Sequence, residues 1–165
     1  SEKPPLFIYI PRAPERFRET AALLHKSNIR YARRSDILDE ALSGDAPKNI
    51  DVLLGDSMGE MYFYLAASDL AIIGGGFVEK GAHNISEPLM LGLPCVVGPH
   101  VWTIEFPVVE AMAANVVHQV QDAKALAAYL KAGKFPSSIA ARDFATNQMG
   151  GAQRTIEGLI SRGLI

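Results

Sequence analysis

Asn84 and Glu87 stand three residues apart, directly after a glycine-rich run, Gly74-Gly75-Gly76-Phe77-Val78-Glu79-Lys80-Gly81-Ala82-His83. An amide and a carboxylate so placed can hold a pair of vicinal hydroxyls, as the acidic residue of dinucleotide folds holds a ribose. Glycines such as Gly75 and Gly76 allow the backbone to come close to a ligand. The same spacing is also that of a capping box, with Asn84 capping a helix and Glu87 reaching back, or with Ser86 as the cap. Capping leaves the three preceding glycines and the neighbouring His83 unaccounted for.

Three further segments carry comparable groups. In Ile10-Pro11-Arg12-Ala13-Pro14-Glu15-Arg16-Phe17, Arg12 can present its guanidinium to a phosphate or a carboxylate. The plainer reading makes Arg12 and Arg16 solvated charges around a proline-led helix start. In Gly55-Asp56-Ser57-Met58-Gly59-Glu60, the backbone N–H groups of Met58, Gly59 and Glu60 lie at a helix start, where an anion can bind. An ordinary helix capped by Asp56 or Ser57 fits the same residues. In Gly98-Pro99-His100-Val101-Trp102, His100 can donate to a phosphate or move a proton, or simply bond to backbone, and Trp102 reads as packing. His25 and His118 receive no role.

Several chemistries find no support. His83 and His100 have no cysteine or carboxylate partner at metal-ligand spacing. There is no nucleophile elbow and no phosphate loop ending in Gly-Lys-Ser/Thr. The glycine run lacks the dinucleotide fingerprint, which disfavours NAD. Cys95 lies in the apolar run Leu93-Pro94-Cys95-Val96-Val97 and reads as a small core residue. As the only cysteine it excludes an internal disulfide and suits a reducing compartment.

The elements that must position these loops follow from the apolar periodicity. Strands are expected at 6–10, 29–32, 52–54, 70–73, 94–97 and 116–117. Helices are expected at 15–26 (with Phe17, Ala21 and Leu24 on one face), 35–42, 59–67, 89–92, 106–114 and 122–132. Another begins at Pro136 and breaks near Gly150-Gly151, before a last helix over 152–161. Asp122 is a natural N-cap and Gly133 a natural stop. Strands alternating with helices predict an α/β fold, a Rossmann-like parallel sheet with helices on both faces, and the continuous apolar strands predict burial on both sides. In such folds ligands lie beyond the carboxyl ends of the strands, which is where the four loops fall.

At 165 residues and 48% apolar composition, 1–165 reads as a single domain or one lobe of a larger protein. A net charge of −2 gives no general reason to expect nucleic acid. No stretch has the apolar length to span a bilayer. The opening Ser1-Glu2-Lys3-Pro4-Pro5, without a Met, reads as the start of a fragment.

Taken in order, the loops resemble one family. Pro11-Arg12-x-Pro14-Glu15-Arg16-Phe17, Gly55-Asp56-Ser57-Met58-Gly59-Glu60, Gly74-Gly75-Gly76 with Gly81-x-His83-Asn84-x-x-Glu87-Pro88, and Gly98-Pro99-His100 look like the carboxyl-terminal lobe of the 3-deoxy-D-manno-octulosonic acid (Kdo) transferases of lipopolysaccharide assembly. The resemblance extends through Asn147-Gln148-x-Gly150. It implies the second lobe of a two-lobed GT-B glycosyltransferase, binding the CMP half of the donor CMP-Kdo, with no cofactor and no metal. Carried over, Pro11 and Arg12 would meet the nucleotide phosphate or ribose. The Met58-Gly59-Glu60 backbone would meet the cytidine or its phosphate, with Gly75 and Gly76 close by. Asn84 and Glu87 would hold the ribose, and His83 and His100 would contact phosphate or sugar.

The implied reaction is inverting displacement of CMP by a hydroxyl of a lipid A precursor, at the cytoplasmic face of the bacterial inner membrane. The general base and the membrane-associating surface belong to the amino-terminal lobe, so this chain alone is expected to be inactive. There are two departures from the family pattern. Ala13 stands where a histidine is usual. The family's opening strand and Thr-His-Glu-Gly-Glu-Glu-like loop are not seen before Ser1, which leads us to expect a gap in the sheet, a non-physiological oligomer or a rearranged amino-terminal edge. Two other readings stand beside this one: a GT-B lobe for a UDP-sugar, and a non-catalytic α/β interaction module.

Overall fold

The computed structural model describes residues 4–45 and 47–165; Ser1-Glu2-Lys3 and Ala46 lie outside the described residues. The chain forms two compact units that divide between Ala67 and Ser68. The sequence reading treats 1–165 as one domain.

The first unit runs β1 (Phe7–Tyr9), α1 (Arg16–Lys26), β2 (Tyr31–Arg33), α2 (Arg34–Ile37), β3 (Val52–Leu54) and α3 (Met61–Ala66). Its strands are parallel in the order β1-β3-β2, with Tyr9 and Arg33 both in register with Leu54. A parallel pair cannot close through a tight turn, so α1 serves as the crossover. Phe17, Ala21 and Leu24 are half-buried on one face of α1, and Thr20 is buried beside them. Leu54 and Tyr64 form the fully buried centre of this unit.

The second unit runs β4 (Ala71–Ile72), α4 (Ser86–Met90), β5 (Cys95–Val97), a 3-10 turn at Trp102–Ile104, α5 (Glu105–Ala113), β6 (Val117–Gln119), α6 (Ala123–Ala132), α7 (Ser138–Gln148) and α8 (Gly151–Ser161). Its strands are parallel in the order β4-β5-β6. The central strand β5 is buried along its whole length, within a core that includes Ile85, Leu89, Val108, Ala111, Val116 and Ala141. Burial pushes the Cys95 thiol up to about 12, so it stays protonated and acts as a packing group. Asp122 accepts from the Ala125 amide at 2.7 Å, and Gly133 ends α6 in the left-handed region at φ 62°.

The α/β class with parallel strands is as read from sequence, and three details differ. Among the described residues the strands form two three-stranded sheets, because β1 pairs only with β3 and β4 only with β5. Burial on both sides holds for β5 but not for β1, a strand with one partner, where Phe7 and Tyr9 are 43% and 53% exposed. The helix expected over 35–42 is the four-residue α2. It ends early because the Asp39 carboxylate accepts the amides of Ala41 and Ser43, both at 2.9 Å, and turns the chain.

Leu89 is buried on α4, which packs on α7 across Ala141 and Ala145. Leu89→Ala is expected to lower the stability of the second unit by about 2–5 kcal/mol. Urea denaturation followed by circular dichroism measures this.

Candidate functional site

In the first unit, three loops leave adjacent strand ends. Pro11-Arg12 follows β1, Arg33-Arg34-Ser35 follows β2, and Gly55–Glu60 follows β3. The Gly55 amide donates to the Tyr9 carbonyl at 2.9 Å, so the first and third loops start side by side. Pro11 is buried and Arg12 exposed.

The third loop is held by its acidic side chains, neither of which caps α3. The Asp56 carboxylate accepts the Ser35 amide (2.9 Å), the Ser35 hydroxyl (2.7 Å) and the Arg33 guanidinium through Nε (2.8 Å) and a terminal nitrogen (2.7 Å). Glu60 pairs with Arg34 and accepts from the Ser57 hydroxyl and, at 3.2 Å, from the Tyr64 hydroxyl. Ser57 and Tyr64 share a further hydroxyl contact at 2.9 Å. The expected helix-start anion site is therefore modified. Helix α3 begins only at Met61, is six residues long and has no side-chain cap. The amides of Met58, Gly59 and Glu60 precede it and donate to no described residue. Gly59 has φ 82° and open space around it.

Burial acts to raise the pKa of Asp56, but the bonds from Ser35 and then Arg33 outweigh it and the net shift is downward. Burial likewise acts to raise Glu60, and the bonds from Ser57, Arg34 and Tyr64 again bring it below its ordinary value. Both carboxylates are thus preferentially ionised in the folded protein.

In the second unit the glycine run after β4 and the Gly98–Trp102 loop after β5 lock together by backbone. The His100 amide donates to the Gly76 carbonyl at 3.0 Å, the Ala82 amide to the His100 carbonyl at 2.9 Å, and the Thr103 hydroxyl to the Ala82 carbonyl at 2.6 Å. A Cβ on Gly98 would overlap the Gly76 carbonyl, and one on Gly75 would overlap the Gly81 carbonyl. A side chain at 75 or 76 would therefore meet the protein's own chain, which gives these glycines a packing reason of their own. His83 lies exposed over Gly74 and Gly75, and His100 meets Trp102 edge to face at 5.2 Å.

Asn84 and Glu87 are both available at this locked turn, and the capping box is not formed. The Asn84 side-chain oxygen accepts the Ser86 amide at 2.9 Å, while α4 starts from Ile85 without a side-chain cap. The half-buried Glu87 carboxylate makes no hydrogen bond or ion pair with a described residue. A cavity of about 390 Å³ opens beside Asn84 and Ser86, walled by Leu89, Met90, Ile104 and Phe144. Among the described residues, no group of three or more His, Cys, Asp or Glu could hold a metal ion.

No protein-family model matches the chain. A 3-deoxy-D-manno-octulosonic acid transferase from Bordetella pertussis is 39% identical over 161 residues, 94% of this chain and 36% of the relative. One from Haemophilus influenzae is 39% identical over 112 residues, 67% of this chain and 24% of the relative. The crystal structure of the C-terminal CMP-Kdo binding domain of WaaA from Acinetobacter baumannii matches with a TM-score of 0.69 at 31% identity, covering 86% of this chain and 68% of that one. The chain belongs to the 3-deoxy-D-manno-octulosonic acid transferase family. It spans 36% and 24% of the length of the two curated Kdo transferases.

Sequence reasoning missed Arg33, Arg34, Ser35 and Tyr64. The available signal was an Arg-Arg-Ser step directly after a strand, in a chain with two carboxylates at the end of the next strand. The lowered pKa values of Asp56 and Glu60 have a defined consequence. The unfolded chain binds more protons than the folded one between the ordinary carboxylate values and the lowered ones, so stability rises with pH there. The contribution is fully present above about pH 5 and is lost as pH falls through the lowered values. Asp56→Asn is expected to flatten this acid limb, read as the midpoint of urea unfolding between pH 6 and pH 3 (about the range of ordinary carboxylates).

Proposed function

We propose that this chain is the donor-binding lobe of a Kdo transferase and holds the CMP half of CMP-Kdo. The observation that carries the reading is the Glu87 carboxylate of the second unit, which makes no hydrogen bond or ion pair with a described residue; in the first unit, taken by itself, the Met58–Glu60 amides likewise donate to no described residue. Donors suit a phosphate, and a carboxylate suits ribose hydroxyls. In this reading Arg12, set by the buried Pro11, meets the phosphate or ribose. The Met58-Gly59-Glu60 backbone meets the cytidine or its phosphate. Asn84 and Glu87 hold the ribose, while His83 and His100 contact phosphate or sugar. The fixed crossing at Gly75 and Gly76 keeps these last four groups in place.

The parent enzyme has the two-lobed GT-B form and displaces CMP with inversion, using a hydroxyl of a lipid A precursor and no cofactor. In this reading the general base and the surface that meets lipid belong to an amino-terminal lobe. The parent works at the cytoplasmic face of the inner membrane. No described helix is long and apolar enough to cross a membrane.

Calorimetric titration tests the reading. The chain is expected to bind CMP more tightly than UMP, and Arg12→Ala and Glu87→Ala each to weaken CMP on the order of tenfold, the scale of one charged hydrogen bond. A Glu87→Ala variant with unchanged CMP affinity would refute the ribose assignment. Incubated with CMP-Kdo and a lipid A precursor, the isolated chain is expected to transfer no Kdo, as followed by mass spectrometry of the acceptor.

A further inference from the structure

Arg34 is a buried cation, 7% exposed, at the junction of β2 and α2. Its guanidinium donates to the carbonyls of Leu38 (3.1 Å) and Asp39 (2.9 Å) and pairs with Glu60, while its Nε has no hydrogen-bond partner among the described residues. A buried cation with an unsatisfied N–H is costly to keep, and stability alone is weak grounds for one, since buried ion pairs are often replaceable by apolar groups. What Arg34 holds is more telling. Glu60 is also gripped by Ser57 and Tyr64, and the Tyr64 ring lies against Gly55, with no room there for a Cβ. Both ends of the 55–60 loop are therefore fixed inward through side chains. Between them Met58 is exposed and Gly59 is left-handed, and the amides of 58–60 donate to no described residue.

We propose that Arg34 is a positioning residue for the donor nucleotide: by pulling the Glu60 side chain inward, it holds the Met58–Glu60 backbone in the shape that presents its amides to the nucleotide phosphate. The inference rests on the donor-binding reading above. It makes a claim that reading does not, namely that a residue behind the loop sets affinity and that its effect is specific to the phosphate. With Arg34 gone, Glu60 becomes a half-buried carboxylate without its cation and turns toward water, carrying the backbone of 58–60 with it. Removing the charge from Glu60 as well takes away that drive.

The test is calorimetric titration of the whole chain with CMP and with cytidine, for wild type, Arg34→Met, Glu60→Gln and the double variant, each checked for native circular dichroism. Arg34→Met is expected to weaken CMP on the order of tenfold while leaving cytidine affinity unchanged, and adding Glu60→Gln to recover most of the loss. Should Arg34→Met fail to fold, Glu60→Gln alone carries the same comparison, with a smaller loss confined to CMP. Unchanged CMP affinity in the folded variants overturns the proposal, and so does an equal loss for CMP and cytidine, which marks a general structural role. Wild type that does not bind CMP overturns the donor-binding reading itself, whereas wild type that binds CMP as its variants do overturns only the role of Arg34.

Discussion

Parallel strand pairing is the constraint from which the candidate site follows. The pairs β1–β3, β2–β3, β4–β5 and β5–β6 all run the same way. A strand paired in this sense needs a helix or long segment before its partner can begin, so the loops after the strands of one sheet all emerge at one edge. In the first unit that edge collects Arg12, the Arg33-Arg34-Ser35 step and the Gly55–Glu60 loop; in the second it collects the glycine run and the His100 loop. Residues distant in sequence become neighbours without any special side-chain recognition. The buried β5 and the core around Ile85 and Leu89 then fix the direction in which α4 leaves the edge.

The two units hold their loops by different physics. In the first, charges do it. Desolvating Asp56 and Glu60 opposes ionisation, yet both pKa values fall, so hydrogen bonds and paired cations outweigh burial. Breaking one partner of such a pair leaves the other uncompensated. In the second unit, the absence of side chains does it. Gly76 and Gly98 let two backbones touch, and amide-to-carbonyl bonds at His100 and Ala82 close the crossing. An ionic clamp responds to pH, whereas a steric one does not.

Much of the architecture could be read directly. Asp122 and Gly133 bound α6 because capping chemistry is local, and the α1 face follows from helical spacing alone. The place of the glycine loop was also visible, but the reason for its glycines was not. Their neighbours at Gly81 and Gly98 are brought near only by the fold. The exposure of Phe7 and Tyr9 was hidden for a related reason, since an apolar triplet looks the same whether its strand has one partner or two. Arg34 was unreadable because a buried cation is identified by what lies behind it, and Glu60 is 26 positions away in sequence (60 less 34).

The contrast between Glu60 and Glu87 shows what spacing can and cannot decide. Ser57-x-x-Glu60 and Asn84-x-x-Glu87 carry the same capping-box pattern. Neither forms the reciprocal cap. Ser57 and Glu60 bond to each other in front of a buried arginine, while Asn84 turns to the Ser86 amide and Glu87 bonds to nothing described. The pattern therefore fixes only reach. Whether the carboxylate remains free for a ligand depends on whether the fold places a cation behind it. Glu60, already matched by Arg34, can serve a ligand only through the backbone it holds. Glu87, half-buried, has no such cation and makes no hydrogen bond or ion pair with a described residue.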